Sequence, residues 1–238
     1  MHTTVPPARS RLIVALDCPN FEVAKSLITT LGDTVGTYKV GLELLMSGDF
    51  FKVVELLHNL SKEIFADIKF FDVPATVARA VRNLSHWDIT FATVHGNQAI
   101  MEAANQEKGK MHLLAVTALT SLDQVDMAEL GFACSIRDVV ISRARRALES
   151  GLDGVVASGH EIGELRELLG KRFLIVTPGI RPISNTEEDD QKRVISARDA
   201  LRAGADYLVV GRPIRNADNP QRAAHLLQNE IEEYFAHV

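Results

Sequence analysis

Cysteine, tryptophan, long apolar runs and excess positive charge are all scarce in this chain, and each shortage removes a class of protein. Two cysteines, Cys18 and Cys134, are too few for a disulfide framework and lack metal-site spacing, which suits a reducing cytosol. Both read as small packing residues. No stretch approaches the roughly 20 apolar residues of a membrane span, and the first ten residues are polar and Pro-rich. A formal net charge of −5 argues against broad binding to nucleic acid or anionic membrane, which relies on basic stripes. Any anionic ligand must be held by a few local cations. No Gly/Ser linker, low-complexity tract or close repeat divides the chain. Trp87 and the Phe70-Phe71 pair read as packing, not as a base-stacking platform, and His95, His112 and His160 share no metal-type spacing.

What remains is ordinary globular composition: 238 residues, 46% apolar and 24% charged. That fits one cytoplasmic α/β domain over residues 1–238, with 1–10 as a flexible extension. Short aliphatic or β-branched runs recur at 12–16, 37–40, 64–68, 89–94, 113–117, 154–157, 173–177 and 207–210, giving eight candidate strands. Helix-like stretches lie between them at 21–31, 50–60, 74–84, 99–106, 136–150 and 161–169, several ending at glycine. Ser196 with Asp199 resembles a capping box ahead of 200–203, and Asn219-Pro220 resembles an N-cap followed by proline at the first helical position. Eight alternations in a chain of this length favour a single-domain (β/α)8 TIM barrel over an open doubly wound sheet, which stays as the alternative.

Barrel enzymes build their sites where the strands end, and the residues there form a coherent set. Asp17 follows the first run, Lys39 closes the second, and Asp67, Lys69 and Asp72 belong to the third. Thr120 lies beyond the fifth. Asp67 and Lys69, two apart at a strand end, should share a face, with Asp72 in the turn beyond. A single acid–lysine pair at such a place is usually a rim salt bridge; five groups on three successive strands point towards function. Flanking carboxylates favour protonated Lys69, whereas an imine-forming lysine must be neutral to attack. The carboxylates alone suit Mg2+, yet the two lysines compete for them, so the expected site contains no metal and no cofactor.

The loops after strands seven and eight commonly hold phosphate in barrels. Here they read Thr177-Pro178-Gly179-Ile180-Arg181-Pro182 and Gly211-Arg212-Pro213-Ile214. Gly179 and Gly211 permit close backbone approach, while Arg212 and Arg181 offer forked donors. The polar stretch 183–193 reads as a solvated surface loop or a lid, with Gln191 directed to the phosphate and the acids at 187–190 outward.

Assembled in order, these residues make the chain resemble the orotidine 5'-phosphate decarboxylase family. The resemblance spans nearly the whole chain. Its motifs are Ala15-Leu16-Asp17, Lys39-Val40-Gly41, the run from Asp67 to Pro74 with Thr76, Leu119-Thr120-Ser121, Thr177 to Arg181, Gln191, and Val210-Gly211-Arg212. Phe71 and Ala75 stand where the family usually has His and Asn. The resemblance implies cofactor-free decarboxylation of a nucleotide by a homodimer whose sites lie at the subunit interface. It implies that Asp17 and Lys39 contact ribose hydroxyls and that Lys39, Asp67, Lys69 and Asp72 form the charged network, Lys69 donating the proton. Asp72 and Thr76 would reach into the partner's site, Thr120 would lie near the pyrimidine, and Gln191, Gly211 and Arg212, with Arg181 nearby, would hold the phosphate. Two rivals remain: a Mg2+-dependent keto-sugar-acid phosphate decarboxylase, which resembles the chain less because it has an acidic metal ligand at the position of Lys39, and a barrel that kept its fold and lost its chemistry.

Overall fold

A computed structural model of the protein describes residues 8–181 and 194–236. The loop expected over 183–193, with Gln191, lies outside the described residues. Eight strands, β1 (Leu12–Ala15), β2 (Thr37–Gly41), β3 (Glu63–Phe70), β4 (Phe91–His95), β5 (His112–Val116), β6 (Gly154–Val156), β7 (Leu174–Thr177) and β8 (Tyr207–Val210), close into a parallel barrel in sequence order. The barrel expectation holds; the open sheet is excluded by the pairing of β1 with β8, Leu12 against Leu208 to Val14 against Val210.

Helices cover the barrel as α1 (Phe21–Leu31), α2 (Leu42–Met46), α3 (Phe50–Asn59), α4 (Pro74–Ser85), α5 (Gln98–Asn105), α6 (Gln124–Glu129), α7 (Ile136–Glu149), α8 (Ile162–Leu169), α9 (Ala197–Ala203), α10 (Arg212–Arg215) and α11 (Pro220–Ala236). The first shows how sequence produces the outer layer. Asn20 caps it by accepting the Val23 N–H at 3.1 Å, Ala24, Leu27, Ile28 and Leu31 form its buried face, and Gly32, at φ +51°, ends it. Ser196 caps α9, accepting the Asp199 N–H at 3.1 Å, so this helix begins at Ala197, three residues before the expected segment.

Strand burial on both faces leaves two apolar regions. Outward residues such as Val14, Val40 and Ala92 pack under the helices, while Ile13, Phe65, Phe91, Leu114, Val176 and Tyr207 fill the interior. Phe91 meets Phe65 and Tyr207 edge-on, with ring centroids 6.0 and 5.1 Å apart. Each such buried side chain contributes about 1.5–3 kcal/mol, and together they form a dry floor beneath the C-terminal mouth. Ala8–Ser10 forms one tight 3-10 turn, and Ala8 packs against the outer core. Among the described residues no helix is long and apolar enough to cross a membrane.

Candidate active site

Charged side chains at the ends of the first three strands form one chain of contacts. Lys39 on β2 donates to Asp17, just past β1, at 2.9 Å, and its ammonium lies 3.4 Å from Asp67 on β3. Lys69 donates to the same Asp67 oxygen, Oδ2, at 2.8 Å. The order Asp17, Lys39, Asp67, Lys69 therefore alternates in sign. Lys39 and Asp67 side chains are only 12% and 11% exposed, against 33% for Lys69, so the first two anchor the set while Lys69 faces the opening.

Burial would drive both inner groups towards neutrality, and their partners override it. Burial alone lowers the Lys39 pKa, yet Asp67 and Asp17 raise it above the ordinary lysine value. Burial alone raises the Asp67 pKa, yet Lys39, Lys69 and hydrogen bonds from Lys69 and Thr93 hold it below the usual carboxylate range. Both remain charged near neutrality. Gly41 closes β2 beside this pair: a Cβ there would stand 3.5 Å from the Lys39 Nζ and 3.8 Å from Asp17 Oδ1, in ordinary van der Waals contact with both.

Asp67 and Lys69 do meet, but not by simple strand alternation. The β3–β4 register shifts between Ala66 and Phe70, and Lys69 adopts φ +55°. That left-handed turn is unusual for a lysine. It brings the ammonium back onto the carboxylate two residues earlier.

The cluster forms one wall of a cleft of about 490 Å3. Thr120 and Leu119, from the loop after β5, line it, as do Gly179, Arg181, Gly211 and Arg212 from the segments after β7 and β8. Gly179, at φ +77°, precedes a short bridge in which the Arg181 N–H donates to Ile195 O at 3.0 Å. Gly211 leads into α10, so the expected phosphate loop becomes a helical turn from Arg212 onward. Arg215, on the same turn, also lines the cleft and was missed in the sequence because it lies beyond the strand-end motif. Among the described residues that line it, the cations Lys39, Lys69, Arg181, Arg212 and Arg215 outnumber the acids Asp17 and Asp67. A chain of net negative charge thus carries a locally cationic cleft suited to an anion.

Asp72 and Thr76 are not brought into this cleft within one chain. Asp72 is exposed and its Oδ1 accepts the adjacent Val73 N–H at 2.6 Å; no ion pair to it forms among the described residues. Thr76, on α4, accepts from Arg79 at 3.2 Å. Phe71 and Val73 flank Asp72 and are 64% and 63% exposed; the Phe71 ring lies 4.4 Å from that of His95. Sequence reading also passed over Thr93, a fully buried strand residue whose hydroxyl donates to Asp67 Oδ1 at 3.0 Å. Its signal was available: it lies two residues after the inward Phe91, on the same face.

A closed barrel whose C-terminal mouth sets an acid–lysine chain opposite arginines and glycines defines an enzyme class, (β/α)8 barrels acting on small phosphorylated substrates. Within that class, the model of the orotidine 5'-phosphate decarboxylase / HUMPS family matches residues 10–227, and the chain belongs to that family. It is 56% identical over 230 residues to orotidine 5'-phosphate decarboxylase from Methylococcus capsulatus, covering 97% of this chain and 95% of the relative. The enzyme of the same name from Xanthomonas euvesicatoria pv. vesicatoria is 47% identical over 226 residues, covering 94% and 93%. The crystal structure of orotidine 5'-phosphate decarboxylase from Lactobacillus acidophilus superposes with a TM-score of 0.81 at 35% identity, covering 93% of this chain and 99% of that one.

Proposed function

We infer that this protein decarboxylates orotidine 5'-phosphate to uridine 5'-phosphate and CO2, the carboxy-lyase step of pyrimidine biosynthesis. The observation that carries this reading is the Asp17–Lys39–Asp67–Lys69 chain opening onto a cationic cleft. Rupture of the bond from pyrimidine C6 to the carboxylate leaves the electron pair in the ring plane, where the π system cannot spread it. Charge must be met electrostatically and a proton supplied. Lys69 does both: its ammonium faces the developing carbanion, then transfers its proton to C6 and is reprotonated from water. An ion fixed by Asp67 at 2.8 Å needs little reorganisation as that charge develops. Asp17 and Lys39 are assigned to the ribose hydroxyls and Thr120 to the pyrimidine. Arg181, Gly211 and Arg212 hold the phosphate, whose binding energy orients the ring. Gln191 is assigned to the same phosphate from the sequence resemblance alone.

The reaction is proposed to proceed without a metal or cofactor. The Lys39 ammonium, 2.9 Å from Asp17 and 3.4 Å from Asp67, already supplies the positive charge for carboxylates that would otherwise suit a divalent cation. The protein is further proposed to work in the cytoplasm as a homodimer in which Asp72 and Thr76 complete the partner's site. Exposed Phe71 and Val73 around Asp72 support that arrangement. An absorbance assay with orotidylate, run with and without excess EDTA, tests the activity: turnover unaffected by chelation is expected. Absence of turnover would refute the reading, and turnover of orotidylate abolished by EDTA would refute its metal-free mechanism.

A further inference from the structure

The geometry points to Thr93 as a positioning residue that fixes both the Asp67 carboxylate and the backbone carrying Lys69. Beside the bulge, Phe65 pairs with Phe91 and Ala66 with Ala92, and pairing resumes at Phe70 with Val94. Asp67, Ile68 and Lys69 thus share one place on β4, that of Thr93. A bulge of this kind leaves ladder groups unpaired. The Thr93 hydroxyl meets one of them: it accepts the Lys69 N–H at 2.9 Å and donates to Asp67 Oδ1 at 3.0 Å. A hydroxyl can do both at once. Thr93 is fully buried, so water does not replace it.

Two consequences follow for the site. Asp67 Oδ2 takes the Lys69 ammonium at 2.8 Å while Oδ1 is held by Thr93, which fixes the rotation of the carboxylate. Lys69, at φ +55°, is in a conformation a lysine resists, and its N–H is tied to that same hydroxyl. One side chain therefore sets where the ammonium starts and where its counter-charge points. An apolar residue of the same shape would fill the space and hold neither.

The catalytic consequence rests on the decarboxylase reading, while the positioning itself has an independent readout. Thr93→Val, which keeps volume and branching, is expected to lower kcat on the order of 10²-fold, the scale of a small misplacement of reacting groups. KM and uridine 5'-phosphate affinity should change little, and Thr93→Ser should restore most of kcat. The groups facing Asp67 are Lys39 from β2 and Lys69 from β3, with Asp17 behind Lys39; His95 lies further along β4, against Phe71 and Asn97. Loss of a donor to the ionised carboxylate shifts its titration to higher pH. NMR of 13C-carboxyl-aspartate-labelled substrate-free protein, with the Asp67 signal assigned through Asp67→Asn, should show that upward shift in Thr93→Val and its reversal in Thr93→Ser. An unshifted titration in Thr93→Val, or a serine variant as impaired as the valine one, would overturn the proposal. A shifted titration in a protein inactive on orotidylate would retain the positioning role and refute the decarboxylase reading instead.

Discussion

The proposed mechanism assigns Lys69 two duties, each with its own cost when the side chain is removed. Proton donation by a placed acid is worth about 10²–10⁴ and fixed charge at the developing anion about 10²–10³. Lys69→Ala should therefore lower kcat about 10⁴-fold or more, while a nucleotide monophosphate inhibitor still binds through the arginines; steady-state turnover with calorimetric binding measures both. Turnover close to wild type would remove Lys69 from the mechanism. Asp67 gives a pH prediction of definite sign. Its folded pKa lies below the unfolded value, so its stabilisation is full above the ordinary carboxylate pKa and fades as pH falls through the depressed one. The urea-denaturation gap between wild type and Asp67→Asn should be about 3 kcal/mol near neutrality, as for breaking a buried pair. It should persist to about pH 4 and shrink only below it. A gap already closing between about pH 6 and 5 would show a raised carboxyl and contradict the assigned network.

At the scale of elements, β6 leaves no room for a side chain at Gly154. Gly154 pairs with Leu174 beneath the mouth, and a Cβ there would stand 2.5 Å from the Leu174 carbonyl oxygen and 2.8 Å from Leu114 Cδ2. Gly154→Ala should cost about 1–3 kcal/mol by overpacking, read as a lower urea midpoint with unchanged slope. Gly163 on α8, with nothing within 4 Å of such an atom, is the control and should be neutral or gain up to about 1 kcal/mol. Equal losses at both would argue against tight packing at β6. The eight strands were legible because each is an aliphatic run buried on both faces, and α1 because its cap, apolar spacing and terminal glycine agree. The helices α2, α6 and α10, of five, six and four residues, were not, since two turns or fewer carry little periodicity. Most of the charged site was legible for a related reason: strand ends converge in any barrel. The bulge at Lys69 was not, because nothing in a lysine's chemistry announces a left-handed backbone; Thr93, two residues after the inward Phe91, carried a legible position but no legible partner.

For the molecule as a whole, the decisive residue is Asp72, which the local sequence places beside Lys69 and the fold directs away from the cleft. It lies on an exposed rim between Phe71 and Val73, one turn before Thr76. Exposed aromatic and aliphatic side chains around a carboxylate suit a self-complementary contact, and a two-fold axis would give each site the other subunit's Asp72. That arrangement makes an unusual demand on inactive proteins. In the proposed dimer, Lys69→Ala and Asp72→Ala subunits would each form homodimers with no complete site, but a mixed dimer would join an intact Lys69 from one chain to an intact Asp72 from the other. Its second site carries both lesions. Random exchange of equal amounts makes half the dimers mixed, so about a quarter of all sites should regain wild-type composition. Activity of the mixture, measured after brief subunit dissociation and reassociation, should approach that fraction. Mixed dimers confirmed by native mass spectrometry but no more active than the separate variants would place Asp72 outside the partner's chemistry.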